Sequence, residues 1–578
     1  MEPRPVTHGS AGAPGIPPDR PHAATGSNQH YASGRTVGQR QGGKNGQPLA
    51  GRALEACHHA RIAKPAGRAQ AANLPCLTQC AEINKEMGDS RVDPLAIVEK
   101  VRHLPGLLAW QSGALGERVV WRTASGQLTI SEWHRRAVDF AGRLARAGLR
   151  AGDVAGLRMG EGIDWVVALF GLWRAGAVVL PLGVGQRWQG ARETLDRAGA
   201  RWLVTGGDRP LGCQARVVVF GTGRRGGLEC CPEGLGPESL ALVAPTSGTT
   251  GEPKLAMLTH GNLLASAGAR ASLVGHQPGD RVLSWLPLTH LYALNADVVK
   301  GLLAGAQAAR LASPRGILRG LRRWKPTHFQ AVPRLYEKVW RLAGGEQATP
   351  ESLKHFFGGR LRWAGCGGAA LPGWLAEAYA RLGLPILEGY GLTEASPLVT
   401  MNTPLAYRAG TAGRVVPGMR VEIAGDGEIL VGGAGVMRGY HGDPEATGRV
   451  LRNGWLHTGD LGSLEDGYLR VTGRKNDLIV LSTGRKVMPA RVEAALLALP
   501  WVETAVVYGD GEPRVRALVR ARTGSRPNWN VGRLEGLEEH EQPARLVPME
   551  RELSVELGEV TALGKINRAV VARHFTGG

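Results

Sequence analysis

The chain has 578 residues, 43% of them hydrophobic, which is enough for several domains with substantial apolar cores. Its formal net charge is +20, and the excess consists mostly of scattered Arg, as in RGILRGLRRWKP, without dense Lys/Arg runs or interleaved aromatic residues. This pattern disfavours nucleic acid as a partner. It favours a negatively charged substrate or peripheral association with an anionic membrane surface.

The N-terminal region differs from the rest in composition. Residues 1–86 contain 11 Gly and 9 Pro but a single aromatic residue, Tyr31. Because such a segment has little apolar surface to offset the entropy of ordering, we predict a disordered extension over residues 1–90. Helix-like apolar spacing begins just after Met87, which is therefore a candidate for the true start.

The chain then alternates amphipathic and β-branched segments. A helix is predicted for SEWHRRAVDFAGRLARAG, and strands are predicted for GDVAGLRM and AVVLPL. This alternation predicts an α/β fold with helix-covered parallel sheets. After about residue 410, short strands and turns predict a β-rich subdomain. The last segment predicts a small C-terminal α+β domain, so we place a large N-terminal domain at 91–474 and the small domain at 475–578.

Three further features bear on the compartment. The most apolar window, Trp165 to Gly185, contains Arg174 and Pro181, so a buried helix followed by a buried strand fits it better than a membrane span. The seven Cys lack paired C-x-x-C spacing, which favours reduced thiols. No secretion signal opens the chain. We therefore expect a cytoplasmic protein.

A phosphate-binding loop is predicted in PTSGTTGEPK. Backbone N–H groups converge on phosphate oxygens where side chains are absent or donate hydrogen bonds, and a lysine adds a mobile charge. The nucleoside-triphosphatase loop does not match, because Pro253 and Leu255 replace its second glycine and its hydroxyl residue. A flexible linker is the alternative for this stretch alone. The candidate phosphate ligands are Thr246, Ser247, Gly248, Thr249, Thr250, Gly251 and Lys254.

Six motifs in order resemble those of the adenylate-forming superfamily of acyl-CoA synthetases, luciferases and peptide-synthetase adenylation domains. After the phosphate loop come LEGYGLTEASP, GEILVGGAGVMRGYHGDPEAT, NGWLHTGDLG, GRKNDLIVLSTGRKV and ALGKINR. Their order over residues 240–568 makes coincidence negligible. The resemblance implies a large AMP-binding domain hinged to a small, mobile C-terminal domain.

The resemblance also implies roles for residues around ATP. The phosphate loop would hold the β- and γ-phosphates, and Glu394, in a motif with Gly391 and Thr393, would bind the bridging Mg²⁺. Tyr390 would stack on adenine beside Gly367 and Gly368. Asp460 and Arg474 suit the ribose diol. Taken singly, these residues could equally be a helix cap, a buried aromatic residue or turns; the surrounding motifs favour the catalytic interpretation.

The C-terminal motifs imply a domain rotation. Lys565 would reach both the carboxylate and the α-phosphate as charge develops in the first step. The small domain would then rotate about Asn476, so that the face with Gly484 forms the tunnel for coenzyme A. The family usually has Asp or Lys at this hinge, so Asn476 is a departure.

The acid that is activated is predicted from three stretches. SWLPLTHLYALNADV, KPTHFQAVPRLYEKVW and LRWAGCGGAALP are most similar to long-chain fatty acyl-CoA synthetases, in which His290 would stand at the mouth of the acyl pocket. A core histidine is the alternative for His290. The implied reaction is fatty acid, ATP and coenzyme A giving acyl-CoA, AMP and pyrophosphate.

Two departures keep alternatives open. The segment before Lys565 is short and lacks a clear strand pattern, so a ligase that passes acyl-AMP to an acyl carrier protein is one alternative. Ligation of another carboxylic acid and a non-catalytic nucleotide-binding descendant are others. Leu255 stands where the family usually has Gly; if that position requires glycine-only backbone angles, phosphate binding should be weak.

Overall fold

A computed structural model gives the fold of the chain and describes residues 93–207, 212–221, 231–246, 253–275, 277, 279–554, 556–560 and 566–576. All of them belong to one contact unit, Asn73–Gly578. The predicted disordered extension and the candidate start at Met87 lie outside the described residues.

The strands form in the segments where β-branched and apolar residues concentrate. In chain order they are β1 Val119–Thr123, β2 Gly126–Thr129, β3 Val154–Arg158, β4 Val178–Pro181, β5 Trp202–Thr205, β6 Arg216–Val219, β7 Leu240–Pro245, β8 Leu255–Thr259, β9 Arg281–Ser284, β10 Gln307–Arg310, β11 His328–Ala331, β12 Trp363–Cys366, β13 Ile386–Tyr390, β14 Thr400–Met401, β15 Arg414–Val415, β16 Met419–Ile423, β17 Glu428–Gly433, β18 Leu451–Arg452, β19 Trp455–Glu465, β20 Tyr468–Arg474, β21 Ile479–Val480, β22 Lys486–Val487, β23 Val502–Tyr508, β24 Arg516–Ala521 and β25 Leu546–Pro548.

Most of the α-helices lie between these strands; the first two precede β1 and the last follows β25. In chain order they are α1 Pro94–Val101, α2 Leu104–Leu115, α3 Ile130–Arg146, α4 Ile163–Arg174, α5 Trp188–Arg197, α6 His260–Val274, α7 Leu291–Ala293, α8 Lys300–Leu303, α9 Ile317–Trp324, α10 Pro333–Leu342, α11 Pro350–Phe356, α12 Gly373–Arg381, α13 Pro444–Val450, α14 Pro489–Leu497 and α15 Arg568–Thr576. A π-helical segment, Leu294–Val299, joins α7 to α8.

The first sheet has the strand order β6-β5-β3-β4-β7-β8, and its strands are parallel except for the β7–β8 hairpin. Parallel strands covered on both faces are expected to be apolar throughout, and β4 and β5 are buried at every position. The apolar window predicted to be a helix and a strand is α4 followed by β4, and it is buried from Trp165 to Leu182. Among the described residues, no helix has the length and apolar character needed to cross a membrane.

The second sheet joins a parallel half to an antiparallel half. Its order is β16-β17-β19-β20-β15-β14-β13-β12-β11-β9-β10-β1-β2, with β18 paired to β19. The strands from β13 through β10 to β1 run parallel, whereas β13 and β14 are antiparallel. The predicted β-rich subdomain corresponds to β15–β20. The end of β13 is therefore the point at which the two halves meet.

The C-terminal elements form a smaller unit of mixed structure. Helix α14 packs on a three-stranded sheet, β23-β24-β25, over a core that includes Val492, Val507 and Val519. The helix and strand predicted for PARVEAALLALP and TAVVYG are α14 and β23. Between β24 and β25 the described chain forms one short 3-10 turn, Glu539–Glu541, in the segment that lacked a strand pattern. The boundary at 474–475 stays a prediction.

Candidate active site

The predicted phosphate loop connects two paired strands. Strand β7 ends at Pro245, which pairs with Leu255 of β8, and the Thr246 N–H donates to the Lys254 carbonyl oxygen over 2.8 Å. Strand pairing therefore fixes both ends of the loop. Its centre, the predicted phosphate ligands Ser247, Gly248, Thr249, Thr250 and Gly251, lies outside the described residues.

Leu255 does not occupy a glycine-only conformation. It is the first residue of β8, only 4% exposed, and it is not among the non-glycine residues with positive φ. Its side chain packs in an apolar cluster with Leu180 and Val243. The condition under which this substitution would weaken phosphate binding is therefore not met, because the position is ordinary strand backbone.

Lys254, Tyr440 and Glu394 meet at one end of the site. On its free side, β8 pairs with the segment around Tyr440 through an Ala256–Tyr440 bridge. The Tyr440 hydroxyl donates to Glu394 Oε1 over 2.9 Å, and the Lys254 ammonium lies 5.0 Å from the centre of the Tyr440 ring. The cation and the carboxylate predicted for the phosphates and Mg²⁺ thus both contact one tyrosine.

The turn after β13 depends on a close backbone approach. A Cβ at Gly391 would overlap the carbonyl oxygen of Pro397, so only glycine fits there. Thr393 opens a 3-10 turn, Thr393–Ala395, and the Glu394 carbonyl accepts from the Met437 N–H over 2.8 Å. This packing fixes Glu394 at a short distance from the end of β13.

Asp460 forms the other end of the site. It faces Arg474 across the β19–β20 pair, and its Oδ1 is 2.6 Å from Arg474 Nε. Its Oδ2 accepts from the Tyr390 hydroxyl over 2.7 Å. Each carboxylate oxygen retains a second lone pair, so this buried group can still accept hydrogen bonds from a diol.

The Asp460 carboxylate raises the pKa values of both of its neighbours, Tyr390 and Arg474. Burial, together with the Asp460 carboxylate, raises the pKa of Tyr390 well above its usual range. Burial opposes the charge on Arg474, but Asp460 and Tyr390 outweigh it and raise the pKa of the guanidinium. The phenol therefore stays neutral and Arg474 stays charged throughout the working pH range.

The predicted adenine loop follows β12. Gly367 faces the Tyr292 ring, which a Cβ would approach to 3.3 Å, and Gly368 has φ +84°. Further along, the Leu371 N–H donates to Glu388 Oε1 over 3.0 Å. Burial raises the pKa of Glu388 to about 7. The loop is thus tied to β13, the strand that ends at Tyr390.

His290 stands at the start of α7. Burial lowers its pKa, while the nearby Glu161 carboxylate raises it. Glu161 is itself held by an ion pair with Arg310 and accepts from the Thr289 N–H over 3.2 Å. A neutral His290 imidazole near the Glu161 carboxylate is compatible with the predicted position at the mouth of the acyl pocket. The role of His290 stays a prediction.

The predicted hinge is anchored on its N-terminal side. Asn476 lies in a 3-10 turn, Lys475–Asp477, without a positive φ. The Lys475 ammonium binds Asp426 Oδ2 at 2.6 Å and Glu428 Oε2 at 2.8 Å. Gly484, predicted on the coenzyme A side, has φ +77° and lies between β21 and β22. Lys565 lies outside the described residues.

Sequence reasoning missed two residues of this arrangement. Tyr440 lies in the strand-turn motif but has no predicted role, although an aromatic residue in a Gly-rich turn is a usable signal. Glu428, which accepts from Lys475 and from the Gly459 N–H over 2.8 Å, has no such signal. These contacts come from two segments distant in sequence.

The fold and the grouped side chains define a class of nucleotide-binding enzymes in which two sheets flank the site and a small C-terminal unit follows. The family model for AMP-binding enzymes matches residues 108–441, and the model for the AMP-binding enzyme C-terminal domain matches residues 476–537. The chain belongs to the AMP-binding enzyme family of the adenylate-forming superfamily.

Two curated relatives differ in substrate name and coverage. A feruloyl-CoA synthase from Amycolatopsis is 32% identical over 78% of this chain and 94% of its own length. A fatty-acid–CoA ligase, FadD11, from Mycobacterium tuberculosis is 34% identical over 49% of this chain. The match spans 58% of the FadD11 sequence, so the similarity covers little more than half of that protein.

A solved structure supports the fold. The O-succinylbenzoate–CoA synthetase of Bacillus subtilis, in complex with AMP, has a TM-score of 0.69 and 26% identity, covering 80% of this chain and 97% of its own. The predicted fold class and superfamily are therefore confirmed.

Proposed function

We propose that this chain is an ATP-dependent acid–CoA ligase that forms an acyl adenylate and then a thioester. The observation that supports the proposal most is the grouping of side chains around the end of β13. Lys254 and Glu394 lie at one end, and Asp460 with Arg474 lies at the other. This arrangement is complementary to a nucleotide with anionic phosphates and a ribose diol.

The chemistry requires one anion to attack another. A carboxylate oxygen bonds to the α-phosphorus of ATP, and the bond from that phosphorus to the bridging oxygen breaks, so pyrophosphate leaves. Lys254 would neutralise the outer phosphates, and Lys565 would contact the carboxylate and the α-phosphate. In the second step the sulfur of coenzyme A attacks the acyl carbon and AMP leaves.

Glu394 fits the expected magnesium ion. Mg²⁺ prefers carboxylate oxygens combined with substrate phosphates, and Glu394 uses Oε1 for Tyr440 while its carboxylate has further lone pairs. When bound, the ion neutralises charge on the leaving pyrophosphate. The protein residues orient this carboxylate through the Tyr440 hydroxyl.

A long-chain fatty acid is the first candidate for the acid. The stretches around His290 and the FadD11 similarity support it. A second candidate, a hydroxyaryl-propenoic acid, is supported by the feruloyl-CoA synthase similarity, which spans far more of both chains. The net charge of +20 also suits ATP, coenzyme A and an anionic membrane surface that supplies a fatty acid.

One assay separates the candidate functions. Purified protein is incubated with palmitate or ferulate, ATP and Mg²⁺, with and without coenzyme A, while AMP, pyrophosphate and thioester are followed. Thioester formation supports the proposal. Adenylate without thioester supports a ligase that serves an acyl carrier protein. Absence of both with every acid tried, short and aromatic acids included, would leave a non-catalytic nucleotide-binding protein.

Replacing Lys565 with Ala tests the catalytic assignment. We expect adenylate formation to fall by about a hundredfold or more, because the charge that stabilises the pentavalent phosphorus is lost. ATP binding, measured by calorimetry, should persist, because the other phosphate contacts remain. Normal turnover in this variant would contradict the assignment.

A further inference from the structure

The helical segment that follows His290 contains an irregular stretch. Leu294–Val299 is π-helical, lies between α7 and α8, and is buried at all six positions. A π turn is rare because its hydrogen-bonding geometry is poorer, and where it occurs it is frequently at a functional site. It places two polar residues, Asn295 and Asp297, in the protein interior.

A cluster of polar side chains surrounds this stretch; we call Arg270, Tyr292, Asp297, Lys300 and Gln330 the buried polar cluster. The side chain of Lys300 is 0% exposed, and Arg270 and Asp297 are also buried. Within the described part of the chain, three donors of the cluster, Lys300 Nζ, Arg270 Nε and Gln330 Nε2, and one acceptor, Asp297 Oδ1, find no hydrogen-bond partner. Buried polar atoms are rarely left unmatched, so three donors and one acceptor in one cluster require an explanation.

Basic groups outnumber acidic groups in the cluster. It contains two basic side chains and one carboxyl group, Asp297, whose pKa is raised by burial. Neither Lys300 Nζ nor Asp297 Oδ1 has a hydrogen-bond partner among the described residues. Burial and the nearby Arg270 lower the pKa of Lys300 to about 7, against the opposing effect of Asp297. Burial also lowers the pKa of Arg270. An oxygen acceptor from outside the chain would offset this cost of desolvation.

Tyr292 connects the cluster to the nucleotide site. A Cβ at Gly367, in the predicted adenine loop, would approach the Tyr292 ring to 3.3 Å. Within the cluster, the Arg270 guanidinium lies 5.6 Å from the centre of the same ring. The Tyr292 hydroxyl donates to Gln330 Oε1 over 2.7 Å. The cluster therefore adjoins the predicted adenine loop.

The cluster also lies further along the helical run than the predicted pocket mouth. Lys300 is ten residues beyond His290, which corresponds to roughly 15 Å along a helix. Its ammonium lies 5.4 Å from the centre of the Trp363 ring, on the strand that precedes Gly367. An acid that entered past His290 would place its distal end, not its carboxylate, near Lys300.

We propose that the buried polar cluster recognises a hydrogen-bond-accepting oxygen at the distal end of the acid, so that the substrate is an acid with an oxygen-bearing tail, fatty or aryl. The proposal rests on the proposed function. Arg270 and Lys300 donate to the tail oxygen, and Tyr292 separates it from the nucleotide. An unsubstituted alkyl tail leaves these donors unmatched and is selected against.

Matched pairs of acids test this specificity. Palmitate is compared with omega-hydroxypalmitate, and cinnamate with para-hydroxycinnamate, by pyrophosphate release in the presence of ATP, Mg²⁺ and coenzyme A. We expect kcat/KM for the oxygenated member of at least one pair to exceed that of its partner by more than about tenfold. Equal or better turnover of both unsubstituted acids would overturn the proposal while leaving the acid ligase function intact.

Substitutions in the buried polar cluster test whether it causes the preference for the oxygenated acid. Lys300→Met and Arg270→Met should each remove most of the preference by lowering kcat/KM for the oxygenated acid, with little loss for its partner. Lys338→Met, at an exposed lysine of α10, should change neither value. A preference that survives both cluster variants overturns the proposal. If either variant fails to fold, the comparison of paired acids on the unmodified protein still decides, and absence of AMP with every acid overturns the proposed function itself.

Discussion

Tyr440 illustrates how one residue organises the phosphate end of the site. Its hydroxyl orients Glu394, and its ring lies beside the Lys254 ammonium. One tyrosine therefore contacts both the cation and the carboxylate that we propose for MgATP.

Tyr440→Phe should raise the KM for MgATP by roughly tenfold, because one hydrogen bond to a charged group is lost. Steady-state kinetics with magnesium titration measures the effect. The matched control is Tyr407→Phe, which removes a hydroxyl that donates to the Ala376 carbonyl over 3.2 Å, a contact with no part in the site. An unchanged KM in Tyr440→Phe would mean that Glu394 does not depend on this contact.

Glu388 predicts a pH dependence of stability. Its pKa rises from 4.5 to about 7 on folding, so the native state binds the proton more tightly than the unfolded state. Stability should therefore fall as the pH rises from 4.5 to 7, by on the order of 3 kcal/mol. Denaturation midpoints across this window measure it.

Glu388→Gln should flatten that dependence, because the amide keeps the bond from the Leu371 N–H without a charge to bury. The exposed Glu377→Gln on α12 is the control and should retain the parental slope. A parental slope in both variants would show that another group titrates in this range.

At the scale of elements, pairing of β7 with β8 fixes the two ends of the predicted phosphate loop. Strand β8 pairs with β7 on one side and with the segment around Tyr440 on the other. Residues on both sides of the loop are consequently held by backbone hydrogen bonds. Leu255 contributes to this rigidity from the buried face of the sheet.

Leu255→Gly should destabilise the protein by about 2–5 kcal/mol, because it creates a cavity and introduces glycine into a strand. The KM for ATP should not improve. Thermal denaturation and steady-state kinetics provide the two readouts, with Leu255→Ile as a volume-conserving control. A lower KM without loss of stability would show that the loop needs a glycine there after all.

At the scale of the whole molecule, an ion pair joins the small C-terminal unit to the large one. Arg334 on α10 lies 3.9 Å from Glu552, and their side chains are 62% and 63% exposed. Such a pair contributes little to stability and is weakened by salt. A contact of this kind is compatible with a C-terminal domain that moves between two half-reactions.

A cross-link that prevents this movement should slow overall thioester formation, because the two half-reactions are proposed to need different domain arrangements. Arg334→Cys and Glu552→Cys, joined by a short bismaleimide, should lower overall thioester formation at least about tenfold, because one closed arrangement is excluded. Adenylate and thioester are quantified separately, and the two single-cysteine variants treated with the same reagent are the controls. Full activity of the cross-linked protein would argue against a required rotation.

Much of the architecture was predictable because it depends on local pattern. The apolar run from Trp165 becomes α4 and β4 since both are buried on all sides, and alternation of helix and strand gives a parallel sheet. The motifs identified the family, since the groups proposed to bind phosphates and ribose occur at recognisable spacings. Local sequence therefore determined the fold class and the candidate ligands.

The tertiary structure decided the contacts between distant segments. Whether Leu255 needed a glycine conformation depended on its pairing with Pro245, and the orientation of Glu394 depended on Tyr440, 46 residues away. The unmatched donors of Arg270 and Lys300 come from separate helices. Sequence periodicity reports which residues are buried, but only packing determines which buried polar atoms find partners, and that is the property on which the substrate proposal rests.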